Sequence, residues 1–138
     1  MTAKQPLQIL LVEDDSMIAS VIAIGLQTLG VPYRLDKAYS AEEGLELWAQ
    51  HTYDLVLTDY NLRGMNGLSL LAAIKQMGGN VPTVLFTAYD TLQLQREARA
   101  AGVSVYLAKP FLIEDFVNIA RGLLPVSANE VGASTPVR

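Results

Sequence analysis

The 138-residue sequence has no cysteine, which removes disulfides, thiolate metal sites and cysteine nucleophiles from consideration. It has a single histidine, His51, expected to sit exposed after a helix, so no histidine-built metal site can form. Positive charge is also scarce. Ten Lys+Arg stand against 14 Asp+Glu, for a net charge of -4, and without a broad cationic field no direct nucleic acid partner is expected. Long apolar runs are missing too. The greasiest helical stretch, Met17 to Leu29, is broken by Ser20, Gly25 and Gln27, and Met1 to Gln8 is polar with no signal-peptide core. The expectation is a cytoplasmic chain with no membrane association.

What remains is apolar and periodic. Hydrophobic residues make up 51% of the chain and mean hydropathy is +0.26, as suits a sheet covered on both faces. Short apolar runs at Leu7 to Val12, Tyr33 to Ala38, Leu55 to Leu57, Thr83 to Phe86 and Val103 to Ala108 alternate with longer segments of helical period. That alternation predicts repeated βα units around a parallel sheet.

The segments between the runs carry helix punctuation. Asp15 or Ser16 can cap a first helix ending at Gly30, and Ser40-Ala41-Glu42-Glu43 reads as a capping box for a second. A third helix is expected from Gly67 to Met77 and a fourth from the Asp90-Thr91 cap to Gly102; a fifth, from Ile113 to Leu124, is closed by Pro125. Trp48 reads as helix packing. Residues 7–125 thus form one domain, and 126–138, rich in Ser, Ala, Gly, Thr and Pro, reads as a flexible tail or truncated linker.

In a doubly wound sheet the parallel strands end at one edge, so polar residues at their C-terminal ends converge. Glu13 and Asp14 then come from the first strand, Asp59 from the third, Thr87 from the fourth and Lys109 from the fifth. Converging carboxylates repel one another, and a cation relieves this. Oxygen ligands alone suit Mg²⁺ or Mn²⁺. A central carboxylate such as Asp59 can also attack phosphorus to give an acyl phosphate, with Lys109 and Thr87 sharing charge on the transferring oxygens. Each residue alone has a plain structural reading: Asp15 as a helix cap, Thr87 as a β-branched strand residue, Lys109 as a surface lysine, Tyr106 as half-buried packing. The constellation is what points to chemistry.

The stretches LLVEDD, VLTDYNLRGMNG, VLFTAY and VYLAKPF, spread over residues 10 to 111, resemble the receiver domains of two-component response regulators in order and spacing. The resemblance implies a flavodoxin-like three-layer α/β/α sandwich with strand order 2-1-3-4-5. It implies Asp59 as phosphoacceptor for a histidine kinase or phosphotransfer protein, with Asp14 and Asp59 binding Mg²⁺ directly, Glu13 through water and Asn61 through its carbonyl. It further implies a cis Lys109-Pro110 bond, Thr87, Ala88 and Tyr106 as switch residues, and an output face on helix 4, strand 5 and helix 5 for a downstream partner or homodimer. Such a protein is a switch that catalyses only its own phosphorylation and dephosphorylation.

Tyr89, two residues after Thr87, is bulky where many receivers carry a smaller or charged residue; with Asn61 it flanks the path by which water would attack the phosphoryl group, and Tyr89 is expected to screen that path. Assigning Ile18, Val21, Ile22, Leu26 and Leu29 to the core leaves Ala19, Ser20, Ala23, Ile24 and Gln27 on an outward face without charge, suited to the kinase or phosphotransfer partner. Two rivals remain at this stage. A phosphatase of the haloacid dehalogenase type also uses an aspartyl nucleophile, but Asn61 stands where its second acid belongs. A flavodoxin needs donors and glycines after the first strand, and that loop here is acidic.

Overall fold

The computed structural model describes residues 6–125; the tail expected at 126–138 lies outside them. Five strands and five helices alternate: β1 (Leu7–Val12), α1 (Ser16–Leu26), β2 (Tyr33–Ala38), α2 (Ala41–Gln50), β3 (Leu55–Asp59), α3 (Gly67–Gln76), β4 (Thr83–Thr87), α4 (Leu92–Ala100), β5 (Val105–Ala108) and α5 (Ile113–Leu123). The strands form one parallel sheet in the order β2-β1-β3-β4-β5. This is the flavodoxin-like topology, whose order reverses direction beside β1. Among the described residues, no helix is long and apolar enough to cross a membrane.

Because side chains alternate across a strand, each central strand feeds two cores. Ile9 and Leu11 of β1, Leu55 and Leu57 of β3, and Val84 and Phe86 of β4 pack with Ile22, Leu26, Phe116 and Ala120 of α1 and α5. Leu10, Val12, Val56 and Leu85 face the other way, onto Ala41, Leu70, Ile74 and Ala98 of α2, α3 and α4. Burial on both faces explains why these strands are continuous apolar runs and not alternating ones. Phe86 anchors the first core edge-on to Phe116, with ring centroids 5.6 Å apart.

Local sequence signals set the helix starts. Asp15 accepts from the N–H groups of Met17 and Ile18, Asn66 from Ser69 and Thr91 from Leu94, each cap worth about 1 kcal/mol. Ser40 accepts from the Glu43 N–H, while Glu43 returns to the Tyr39 N–H at 2.7 Å, one residue short of the capping-box partner. Several boundaries differ from expectation by a few residues, and two of them have a clear local cause. α1 ends at Leu26, and 27–30 form turns closed by Gly30 at φ 90°. β5 begins at Val105 because the Val103 N–H is spent on the Ala98 carbonyl, closing α4 around Gly102 at φ 83°.

The face of α1 also needs correction. Ala19 is buried with Ile22 and Leu26, whereas Val21, expected in the core, is 46% exposed. Small and large apolar residues occur on both sides of α1, so hydrophobicity alone could not orient it. Close approach to α5 does. A Cβ on Gly25 would collide with Ile113, which fixes which side of α1 faces inward. The outward face is therefore Met17, Ser20, Val21, Ile24 and Gln27, with Ala23 half-buried, and it still carries no charge.

Candidate functional site

The C-terminal ends of β1, β3, β4 and β5 bring together the residues singled out above. Asp59 is the last residue of β3 and Thr87 the last of β4. Glu13 and Asp14 follow β1 directly, and Lys109 follows β5, its N–H held by the Thr87 carbonyl at 2.8 Å. Glu13, Asp14 and Asp59 each offer a carboxylate oxygen within 4.8 Å of the others. Asp14 is half-buried, Glu13 and Asp59 are buried and Thr87 is fully so.

Among the described residues, Lys109 is the only cation against this cluster. Its Nζ stands 3.3 Å from Asp59 Oδ1 and 3.5 Å from Glu13 Oε1, and 5.5 Å from the centroid of the Phe86 ring beneath it. These are ion-pair distances without hydrogen-bond alignment, so both oxygens are buried with no hydrogen-bond partner. Orphaned anionic oxygens are expensive to bury. The consequence appears in the acidities. Burial, then the Asp59 charge, push the Glu13 carboxyl up to about 7, against the opposing pull of the Asp15 N–H and Lys109. Burial also raises Asp59, while Lys109 and the N–H groups of Tyr60 and Asn61 draw it down. The donor set fits a hard divalent cation, which would take oxygens that the protein leaves unpaired.

Around this centre the loops are held in place. The Lys109–Pro110 bond is cis. Gly67 donates to the Tyr60 carbonyl at 2.8 Å, and a Cβ there would collide with the Asp59 carbonyl, so the start of α3 lies directly against the backbone of Asp59. Asn61 is exposed, two residues past Asp59. Thr87 Oγ1 accepts the Tyr89 N–H at 2.8 Å. Tyr89 is 61% exposed and, with Tyr60, Thr91 and Leu94, lines a shallow groove of about 370 Å³. On the other flank Met17, Ile18, Val21, Ala88, Pro110 and Phe111 line an apolar groove of about 540 Å³ leading to Lys109. The sequence signalled an uncharged outward face on α1, but the contribution of Pro110 and Phe111 to this groove was not legible in it. It arises from the return of the chain after β5.

Comparison with known proteins agrees with this geometry. The chain is 34% identical over 116 residues to the uncharacterized transcriptional regulatory protein YkoG of Bacillus subtilis, covering 84% of this chain and 50% of that protein. It is 34% identical over 107 residues to the transcriptional regulatory protein QseB of Escherichia coli O157:H7, covering 78% and 48%. The chain thus spans about half the length of these relatives. Among solved structures, the signal receiver domain of an HD domain-containing protein from Pseudomonas fluorescens Pf-5 superposes with a TM-score of 0.79 at 30% identity, covering 86% of this chain and 94% of that one. A Burkholderia pseudomallei response regulator, solved with a phosphorylated aspartic acid, calcium ion and citrate, gives 0.73 at 27% identity, covering 92% and 71%. Residues 9–121 match the response regulator receiver domain, and the chain belongs to that family.

Proposed function

We propose that residues 7–125 form a phospho-accepting receiver in which Asp59 takes a phosphoryl group from a histidine kinase or a histidine phosphotransfer protein. The observation that carries this reading is the buried Asp59 Oδ1, which has no hydrogen-bond partner and faces the Lys109 ammonium at the ion-pair distance of 3.3 Å. A carboxylate so placed keeps a free lone pair for attack on phosphorus, and the cation beside it draws off charge that develops on the transferring oxygens.

Glu13, Asp14, Asp59 and the Asn61 carbonyl would hold Mg²⁺, which when bound neutralises phosphoryl oxygens and the acidic cluster. The chain's own groups do the rest. Lys109 stabilises the anion, and the Thr87 hydroxyl leaves the Tyr89 N–H to donate to the new phosphoryl group. Ala88 shifts with it. Tyr106 moves inward, altering the face formed by α4, β5 and α5 for a downstream partner or a second copy. The calcium and phosphorylated aspartic acid of the similar Burkholderia pseudomallei regulator support this assignment.

The donor would dock on the uncharged α1 face of Ser20, Ala23 and Ile24, beside the apolar groove leading to Lys109. The protein is a switch whose only turnover is the formation and hydrolysis of its own aspartyl phosphate, and it works in the cytoplasm, where such donors act. Intact mass measured after treatment with acetyl phosphate and Mg²⁺ tests the assignment. A phosphate-sized adduct is expected on the wild type and not on Asp59→Asn; an adduct on both would place the acceptor elsewhere.

A further inference from the structure

A second polar cluster lies past Thr87, where β4, α4 and β5 meet. The Tyr106 hydroxyl donates to Asp90 Oδ1 at 3.1 Å and lies 3.4 Å from the Tyr89 carbonyl oxygen. Gln95 Nε2 donates to the same Asp90 oxygen at 2.7 Å. Asp90 sits in the 88–91 connection between β4 and α4, and Thr87 grips the near end of that connection through the Tyr89 N–H. One carboxylate oxygen therefore ties the loop to β5 through Tyr106 and to α4 through Gln95. Tyr106 pairs with Leu85 in the β4–β5 register, two residues before Thr87, so the tie acts on the strand that carries Thr87.

We propose that Asp90 is a positioning residue for the switch: by holding Tyr106 and Gln95 it restrains the 88–91 loop in the conformation that keeps Thr87 engaged with Tyr89, and so opposes the turn of Thr87 toward Asp59. The inference rests on the phosphoacceptor reading of Asp59. Its physical basis is differential contact. For Thr87 to reach a phosphoryl oxygen it must release the Tyr89 N–H, and a loop fastened at its far end resists that release. Contacts made in only one of two conformations bias the equilibrium between them. Burial, and next to it the hydrogen bond and charge of Asp90, raise the Tyr106 phenol above its ordinary value.

The test uses the full chain as wild type, Asp90→Ala, Asp90→Asn, Tyr106→Phe and the double variant Asp90→Ala/Tyr106→Phe. The rate of aspartyl phosphate formation from acetyl phosphate with Mg²⁺ is followed by intact mass. Loss of the two exposed charge-assisted hydrogen bonds that Asp90 accepts, from Tyr106 and Gln95, predicts a rate about threefold to tenfold higher in Asp90→Ala, as the competent conformation gains population. Asp90→Asn, which keeps an acceptor oxygen, should lie between Asp90→Ala and the wild type, and decides the matter if Asp90→Ala does not fold. The Asp90→Ala and Tyr106→Phe factors should fail to multiply in the double variant, a coupling that general loosening of the loop would not produce. Equal or slower rates in both Asp90 variants, or factors that multiply, overturn the proposal. An adduct on the wild type with no change in the Asp90 variants sinks this inference alone, and no adduct on the wild type sinks the Asp59 assignment with it.

Discussion

Glu13→Gln should make the metal-free protein more stable above neutral pH, although it deletes a buried residue of the site. The Glu13 carboxyl is 1% exposed and is raised from 4.5 to about 7, first by burial and then by Asp59. A carboxyl whose folded pKa lies above its unfolded value supports the fold at pH below the unfolded pKa, and loses that support as pH rises through the folded pKa. The window therefore runs from about pH 4.5 to about pH 7. At 1.36 kcal/mol per unit the shift has a ceiling of about 3 kcal/mol, and screening at the open sheet edge reduces it to about 1–2 kcal/mol. Gln keeps an oxygen for the Asp15 N–H, which Glu13 Oε2 accepts at 3.1 Å, and removes only the charge. Urea unfolding in EDTA, followed by fluorescence of the half-buried Trp48, reads the difference. The variant should exceed the wild type by about 1–2 kcal/mol near pH 8, a Tm rise of roughly 3–8 °C, and the margin should vanish near pH 4.5. Saturating Mg²⁺ should raise the wild type more at the higher pH, since a cation compensates the same charge. Parallel pH profiles for the two proteins in EDTA would refute the argument that this charge is held at a cost.

Other outcomes follow from the same geometry. Lys109→Met removes the only cation within 4 Å of Asp59 among the described residues, so acetyl phosphate labelling should slow by about 10²–10³, measured as adduct against time. Ile24→Glu places a charge on the 63% exposed residue of the α1 face; transfer from a cognate histidine donor should slow at least tenfold while acetyl phosphate labelling is unchanged, and equal slowing of both would indicate a damaged site. Tyr89→Ala should quicken loss of the phosphoryl group about twofold to tenfold, a barrier change of about 0.4–1.4 kcal/mol, and an unchanged or slower decay would remove Tyr89 from the screening role.

Much of this protein was legible from residue order alone. The fully buried strands announce themselves as apolar runs with a polar residue at the end of each, because a parallel sheet is covered on both faces and its strands end at one edge. Caps at Asp15, Ser40 and Thr91 mark where helices begin, since a short side-chain oxygen satisfies amide groups only a few residues away. Local chemistry of this kind needs no knowledge of the rest of the chain. The convergence of Glu13, Asp14, Asp59, Thr87 and Lys109 could be inferred as well, though only by assuming the fold.

The tertiary structure decided what depends on distance between remote segments. Which side of α1 faces inward was set by the approach of Ile113 to Gly25, two residues 88 positions apart whose contact leaves no trace in hydrophobic periodicity. The lack of a hydrogen bond to Glu13 Oε1 and Asp59 Oδ1 came from how Lys109 meets them, at ion-pair distance only. The tie from Asp90 to Tyr106 joins a loop to a neighbouring strand across 16 residues. A sequence records which groups are available and how they begin and end each element; alignment and desolvation, on which the strength of a contact depends, are fixed only when the elements pack.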